Sequence, residues 1–148
     1  MRILFVHQNF PGQFLHLAPA LAERGHEVLA LTDESNKRPA RVQVARYRKP
    51  QAAKAEGLAK AYAEAAERGV SVARAAAQLR RENGFVPDVI FGHGGWGETL
   101  FLREVWPEAR HLTYAEFYYH SQGLDADFDP EFQRPDLMRR IRTTARKT

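Results

Sequence analysis

The chain has 148 residues, of which 44% are hydrophobic and 27% charged, and its formal net charge is +4. These values are typical of one soluble globular domain that buries enough surface to fold without cross-links. No stretch approaches the roughly 20 apolar residues of a membrane span, and the absence of cysteine excludes disulfides, thiolate metal sites and cysteine nucleophiles. The apolar start is too short for a signal peptide. We therefore expect a cytoplasmic protein, and leave open a position at the inner face of the membrane.

Five short apolar or alternating runs predict strands, and helical periodicity or propensity predicts helices after four of them. The predicted strands are 2–7, 27–32, 42–47, 88–91 and 110–115, and the predicted helices are 13–24, 52–83, 98–105 and 135–147. We expect Gly25 and Gly84 to end helices and Gly69 to divide the long helical segment in two. The alternation predicts an α/β fold: a three-layer, Rossmann-like parallel sheet of order 3-2-1-4-5 with helices on both faces.

The fourth predicted strand runs into a turn with four glycines in six positions, residues 92–97. Glycines at the carboxyl end of a buried strand let a ligand approach the backbone, so we predict that Gly94, Gly95 and Trp96 bind substrate. Trp96 suits stacking on a sugar or base, although core packing is an equal alternative. His93 suits a general base, a hydrogen-bond donor to a leaving phosphate or a hydroxyl binder. We expect Glu98 to be an acid of the following helix N-terminus rather than a catalyst.

The first strand-to-helix turn, residues 7–13, places Gly12 near a predicted helix start, where free N–H groups favour an anion. The turn lacks the GxGxxG pattern, and Asp33 is only a weak candidate for a ribose-binding acid, which disfavours a dinucleotide enzyme. In the predicted strand order the first and fourth strands are neighbours, and a crevice opens at their carboxyl ends. We predict that Asn9, Gly12 and Gln13 line this crevice together with the glycine turn.

The end of the fifth strand carries three tyrosines and a carboxylate within residues 114–120, a composition that suits recognition of hydroxyl groups. Glu116 and Tyr118 are the predicted polar members, Glu116 as a catalytic candidate and Tyr118 as a substrate-binding one. The six histidines show no metal-ligand spacing, so we expect no metal site.

The basic excess is concentrated in one stretch, residues 35–55, which contains no acidic residue. This stretch is either a solvated loop or a surface that attracts nucleic acid, anionic lipid or a nucleotide. Tyr47 is its only aromatic residue, so nucleic acid is an unlikely partner because stacking partners are missing. The cations of this stretch are Lys37, Arg38, Arg41, Arg46, Arg48, Lys49 and Lys54.

Four segments resemble the N-terminal domain of a bacterial subgroup of family 4 glycosyltransferases. They read MRILFVHQNFPGQF at 1–14, GHGGWGETLFL at 92–102, EFYY at 116–119 and FDPEF at 128–132. The resemblance implies the N-terminal, acceptor-side half of a GT-B enzyme of carbohydrate biosynthesis. Such an enzyme has two Rossmann-like domains with the active site between them. It transfers a sugar from a nucleotide sugar to a glycan or lipid-linked acceptor with retention of configuration, and it needs no metal.

The same resemblance implies that His93 faces the donor sugar, that Gly12 approaches the donor phosphates and that Glu116 lies in a matching segment of unassigned role. The last predicted helix ends at the terminus without a cap, and we expect the donor-binding domain to be absent from this chain, which alone would be inactive. Two alternatives remain open: a fragment of a GT-B-like nucleotide-sugar epimerase, and a non-catalytic anion-binding domain.

Overall fold

A computed structural model describes residues 1–115, 131 and 136–145 of the protein. Its core is a five-stranded sheet in which every strand pair is parallel, in the order β3-β2-β1-β4-β5. The predicted α/β fold and strand order are therefore confirmed. The elements are β1 Arg2–Val6, α1 Leu17–Glu23, β2 Glu27–Asp33, β3 Gln43–Tyr47, α2 Ala59–Asn83, β4 Val89–His93, α3 Leu102–Val105, β5 Arg110–Tyr114 and α4 Leu137–Ala145.

The three layers follow from the alternation of side chains along the central strand. On β1, Ile3 and Phe5 point to one face and Leu4 and Val6 to the other, because successive residues of a strand face opposite sides. The first face packs against α1, and the second packs against α2 and α3. Both faces of the central strands are thus covered by apolar side chains, which explains why these strands are apolar throughout.

The long helical segment differs from its prediction in length and continuity. It forms one helix, α2, that begins at Ala59 rather than residue 52 and runs without a break through Gly69. A Cβ atom built on Gly69 would lie 2.8 Å from the carbonyl oxygen of Gly97 and 3.0 Å from the Phe101 ring. Gly69 therefore allows a close approach between α2 and the segment after β4, and does not divide the helix. Gly84 ends α2 in the left-handed conformation, as predicted.

Two other predicted helices begin later than the sequence pattern indicated. Gly12–Phe14 forms a short 3-10 turn, and α1 starts only at Leu17. The helix predicted at 98–105 is reduced to α3, because residues 98–101 form turns. By contrast, β4 continues two residues further than predicted and includes His93. Among the helices in the described part of the chain, none is long and apolar enough to cross a membrane.

Candidate ligand crevice

The register of the two central strands brings two histidines side by side. Val6 of β1 pairs with Gly92 of β4, so His7 and His93 come next to each other at the carboxyl ends of their strands. Both side chains are buried, and their rings meet edge to face with centroids 5.5 Å apart. Tyr114 of β5 pairs with His93 of β4, and the centroids of their rings are 6.0 Å apart. His93 thus lies at this edge of the sheet, as the sequence predicts, and His7, which the sequence does not mark as a site residue, lies beside it.

An open crevice of about 370 Å³ lies beside these histidines. It brings together four residues that the sequence predicted for substrate binding, Asn9, Gly12, Gln13 and Trp96. It also includes three that the sequence did not single out as site residues. The full lining is His7, Gln8, Asn9, Gly12, Gln13, Arg38 and Trp96. Both turns expected to line one crevice contribute to it, the first through five of its residues and the glycine turn through Trp96. We call residues 7–13 the β1 loop and residues 94–101, which follow β4, the β4 loop.

The β1 loop is shaped around the His7 ring. The backbone N–H of Asn9 donates to His7 Nδ1 at 3.0 Å, so the neutral ring carries its proton on Nε2. Gly12 has a φ of +45°, and a Cβ atom there would lie 2.8 Å from His7 Cε1. Gly12 begins a three-residue 3-10 turn, and the predicted helix starts only at Leu17. The contact of Gly12 with an anion stays a prediction.

The β4 loop positions His93 and Trp96 against each other. The backbone N–H of Gly95 donates to His93 Nδ1 at 3.4 Å, and the rings of His93 and Trp96 stack with centroids 6.5 Å apart. Trp96 leaves 50% of its surface exposed, so its indole is not a core side chain and remains available on the crevice wall. The guanidinium of Arg68, on α2, donates to the carbonyl oxygen of Trp96 at 2.7 Å and holds this loop against the helix.

Packing also explains most of the glycines around the β4 loop. A Cβ on Gly92 would overlap the methyl group of Thr99, and one on Gly94 would lie 2.6 Å from that of Thr113. A Cβ on Gly97 would lie 2.6 Å from the carbonyl carbon of Ala65 on α2. Of these four glycines, only Gly95 could take a Cβ atom at an ordinary contact distance, 3.6 Å from Cε1 of His93. The glycines thus have a packing role within the domain, and the predicted contact of Gly94 and Gly95 with substrate stays a prediction.

Glu98 is the least expected member of this region. It lies in a turn before α3 rather than in a helix N-terminus, and its side chain is fully buried. One carboxyl oxygen, Oε1, accepts the backbone N–H of Gln8 at 3.2 Å, whereas Oε2 has no hydrogen-bond partner among the described residues. Burial raises the pKa of this carboxyl above its ordinary value of 4.5, and the nearby charges of Arg68 and His93 act in the opposite direction.

Arg38 supplies the positive charge of the crevice. Arg38 lies in the segment after β2, and its side chain is exposed. Its Nη1 donates a hydrogen bond to the carbonyl oxygen of Asn9 at 3.4 Å. No carboxylate within the described part of the chain forms an ion pair with it. The guanidinium is therefore positioned to bind an anionic group in the crevice. Of the basic stretch, Arg38 is the member that lines this crevice.

The two remaining predicted site residues, Glu116 and Tyr118, lie outside the described residues. Within residues 1–115, 131 and 136–145, no three His, Asp or Glu side chains come together in a way that could hold a metal ion.

A doubly wound parallel sheet with a histidine, a tryptophan and an arginine around a crevice at its carboxyl edge defines a Rossmann-like α/β domain. A model of the family described as glycosyl transferase family 4 group matches residues 24–148. The chain belongs to this family, which supports a role in glycosyl transfer with a sugar donor and an acceptor as substrates. A comparison with curated proteins gave no match. The matched region contains Arg38, His93 and Trp96 and starts after the β1 loop.

Proposed function

We propose that this domain is the acceptor-side half of a retaining glycosyltransferase, which moves a hexosyl group from a nucleotide sugar to a glycan or lipid-linked acceptor. The observation that carries the proposal is the crevice lined by His7, Trp96 and Arg38, with the His93 ring packed against those of His7 and Trp96, in a domain of this family. A second, donor-binding domain completes the active site from the other side. The enzyme works in the cytoplasm at or near the inner face of the membrane, where lipid-linked acceptors are found.

The chemistry of glycosyl transfer suits these side chains. When the bond between the anomeric carbon and the diphosphate oxygen breaks, positive charge develops on the sugar and negative charge on the diphosphate. In this proposal Arg38 stabilises the negative charge, and the N–H group of His93 donates a hydrogen bond to the sugar or to the leaving group. The half-exposed indole of Trp96 stacks on an apolar face of a sugar or on the base.

The remaining predicted residues have supporting roles in the same proposal. Asn9, Gln13 and the N–H groups of Gly94 and Gly95 bind hydroxyl or phosphate oxygens on the crevice walls, and Glu116 and Tyr118 contribute polar groups on the acceptor side. In this proposal positively charged side chains such as Arg38 neutralise the diphosphate in place of a metal ion. Activity should therefore persist in the presence of a chelator.

The test is transfer by the protein that carries both domains, with His93→Ala compared with His16→Ala. His16 is an exposed histidine at the start of α1 and serves as a matched control. Removing one transition-state hydrogen-bond donor costs roughly 10²- to 10³-fold in kcat, and the control should stay at the wild-type value. Wild-type kcat and KM in His93→Ala would refute the role of His93. Product analysis distinguishes the classes, because an epimerised donor without transfer would identify an epimerase instead.

A further inference from the structure

Glu98 is a buried carboxyl group for which the proposed chemistry has no use. A buried carboxylate is costly unless it is paired and hydrogen-bonded, so a fully buried glutamate calls for a physical reason. Its Oε1 accepts the N–H of Gln8, which belongs to the β1 loop, whereas Glu98 itself belongs to the β4 loop. The side chain therefore joins the two loops that line the crevice.

The other side of the β1 loop is fixed by groups at the end of β2. The carbonyl oxygen of Gln8 accepts the hydroxyl of Thr32 at 2.9 Å, and the N–H of Phe10 donates to the same hydroxyl oxygen at 3.3 Å. The side-chain amide of Asn36 donates to the carbonyl oxygen of Phe10 at 2.7 Å. Gln8 is thus held through its carbonyl from the β2 side and through its N–H from the β4 side.

Three elements, α2, β3 and β4, place polar groups around Glu98. The guanidinium of Arg68 on α2 and the ring of His93 on β4 both interact electrostatically with its carboxyl group. The fully buried hydroxyl of Tyr47, at the end of β3, feels the charges of both Glu98 and Asp33, the last residue of β2. Like Glu98 Oε2, this hydroxyl has no hydrogen-bond partner in the described part of the chain. Glu98 therefore lies in a polar region beneath the crevice rather than on its surface.

We propose that Glu98 is a positioning residue that connects the β4 loop to the β1 loop through Gln8, so that a substrate meets both walls of the crevice already in place. A preformed site binds more tightly because less conformational entropy is lost on binding. This inference rests on the proposed function for the identity of the substrate, but the connection between the loops exists without any ligand.

Three substitutions separate the hydrogen bond from the charge. Glu98→Gln keeps an acceptor oxygen at the same reach, Glu98→Asp keeps the charge but shortens the side chain, and Glu98→Ala removes both. Glu82→Ala, an exposed carboxylate near the end of α2, is the matched control. The first readout is amide hydrogen exchange at Gln8, measured by NMR on the 148-residue chain without ligand. Amides of β1 report global stability in the same spectra.

We expect exchange at Gln8 to accelerate at least about tenfold in Glu98→Ala and Glu98→Asp, because the hydrogen bond from its N–H to the side chain at position 98 is lost. The β1 amides should keep their protection, and Glu98→Gln should restore the Gln8 amide to within a few-fold of wild type. Unchanged Gln8 exchange in Glu98→Asp, or failure of Glu98→Gln to restore it, would overturn the proposal. If Glu98→Ala does not fold, the Gln and Asp variants still decide the question.

The second readout is binding of UDP-glucose and GDP-mannose to the same variants of the protein that carries both domains. The nucleotide sugar that binds the wild-type chain should bind Glu98→Asp about tenfold more weakly, with recovery in Glu98→Gln. Equal affinity of the Asp variant and the wild type would overturn the role in substrate binding. If neither nucleotide sugar binds the wild type while the Gln8 exchange behaves as expected, the proposed function fails and the connection between the loops stands.

Discussion

Replacing Gly97 with alanine should both destabilise the domain and displace the β4 loop. Gly97 has a φ of +96°, and its α-carbon faces the backbone of Ala65 on α2. An added Cβ would lie 2.6 Å from the carbonyl carbon and 2.7 Å from the α-carbon of Ala65, well inside ordinary contact distance. Because helix backbone cannot rotate away as a side chain does, the β4 loop must move outward.

The expected cost has two parts. A left-handed conformation costs a residue with a Cβ about 1–2 kcal/mol, and forcing an extra carbon into a packed contact costs about 1–3 kcal/mol. Gly97→Ala should therefore reduce the free energy of unfolding by about 2–5 kcal/mol. Gly84 offers a matched control, since its φ is +61° but nothing lies within 4 Å of an added Cβ. Gly84→Ala should show the backbone part alone, about 1–2 kcal/mol.

The assay is urea unfolding of both variants beside the wild type, together with the NMR signal of the Trp96 indole N–H, whose loop moves in this account. Equal destabilisation of Gly97→Ala and Gly84→Ala would refute the close contact between the β4 loop and α2. An unchanged environment of Trp96 in a destabilised Gly97→Ala would refute the coupling of that contact to the crevice.

Two further predictions concern charge. The raised pKa of Glu98 means that the folded state holds a proton more tightly than the unfolded state, so the free energy of unfolding should fall as pH rises from 4.5 through the raised value. Urea midpoints measured from pH 4 to 8 should show this fall in the wild type and less of it in Glu98→Gln. Identical pH slopes in the two proteins would contradict the burial argument. Arg38→Ala should weaken the binding of UDP-glucose or GDP-mannose about tenfold and reduce the salt dependence of binding, because an ionic contact is lost. Arg41, which lies outside the crevice lining, provides the control. In a calorimetric titration, Arg41→Ala should change neither the affinity nor its salt dependence.

The strands and helices were predictable because their patterns are local in sequence, and the strand order and the crevice then follow from the usual arrangement of doubly wound sheets. Short apolar strands between helical segments indicated the parallel sheet, and the rule that ligands bind where neighbouring connections diverge indicated its edge. His7 was missed because it reads as the first polar residue of a turn. Its proximity to His93 follows from the pairing of Val6 with Gly92, a register that the sequence does not reveal.

The errors at Glu98 and Gly69 have a common cause in tertiary packing. The apolar spacing after residue 98 indicated a helix, but the positive φ of Gly97 and the contact of Thr99 with Gly92 keep this segment in a turn. Glycine normally weakens a helix by propensity, yet Gly69 lies within a continuous helix because α2 closely approaches the backbone of Gly97. Neither long-range contact can be inferred from local periodicity.

The most direct test of the central claim is an NMR titration of the 148-residue chain with UDP-glucose, GDP-mannose, UDP and GDP. The account predicts amide shifts confined to the β1 loop, to residues around Arg38, and to residues 93–98, with smaller shifts in Arg38→Ala. Saturating ligand that leaves the amides of both loops unperturbed, or that perturbs only residues far from the crevice lining, would contradict it.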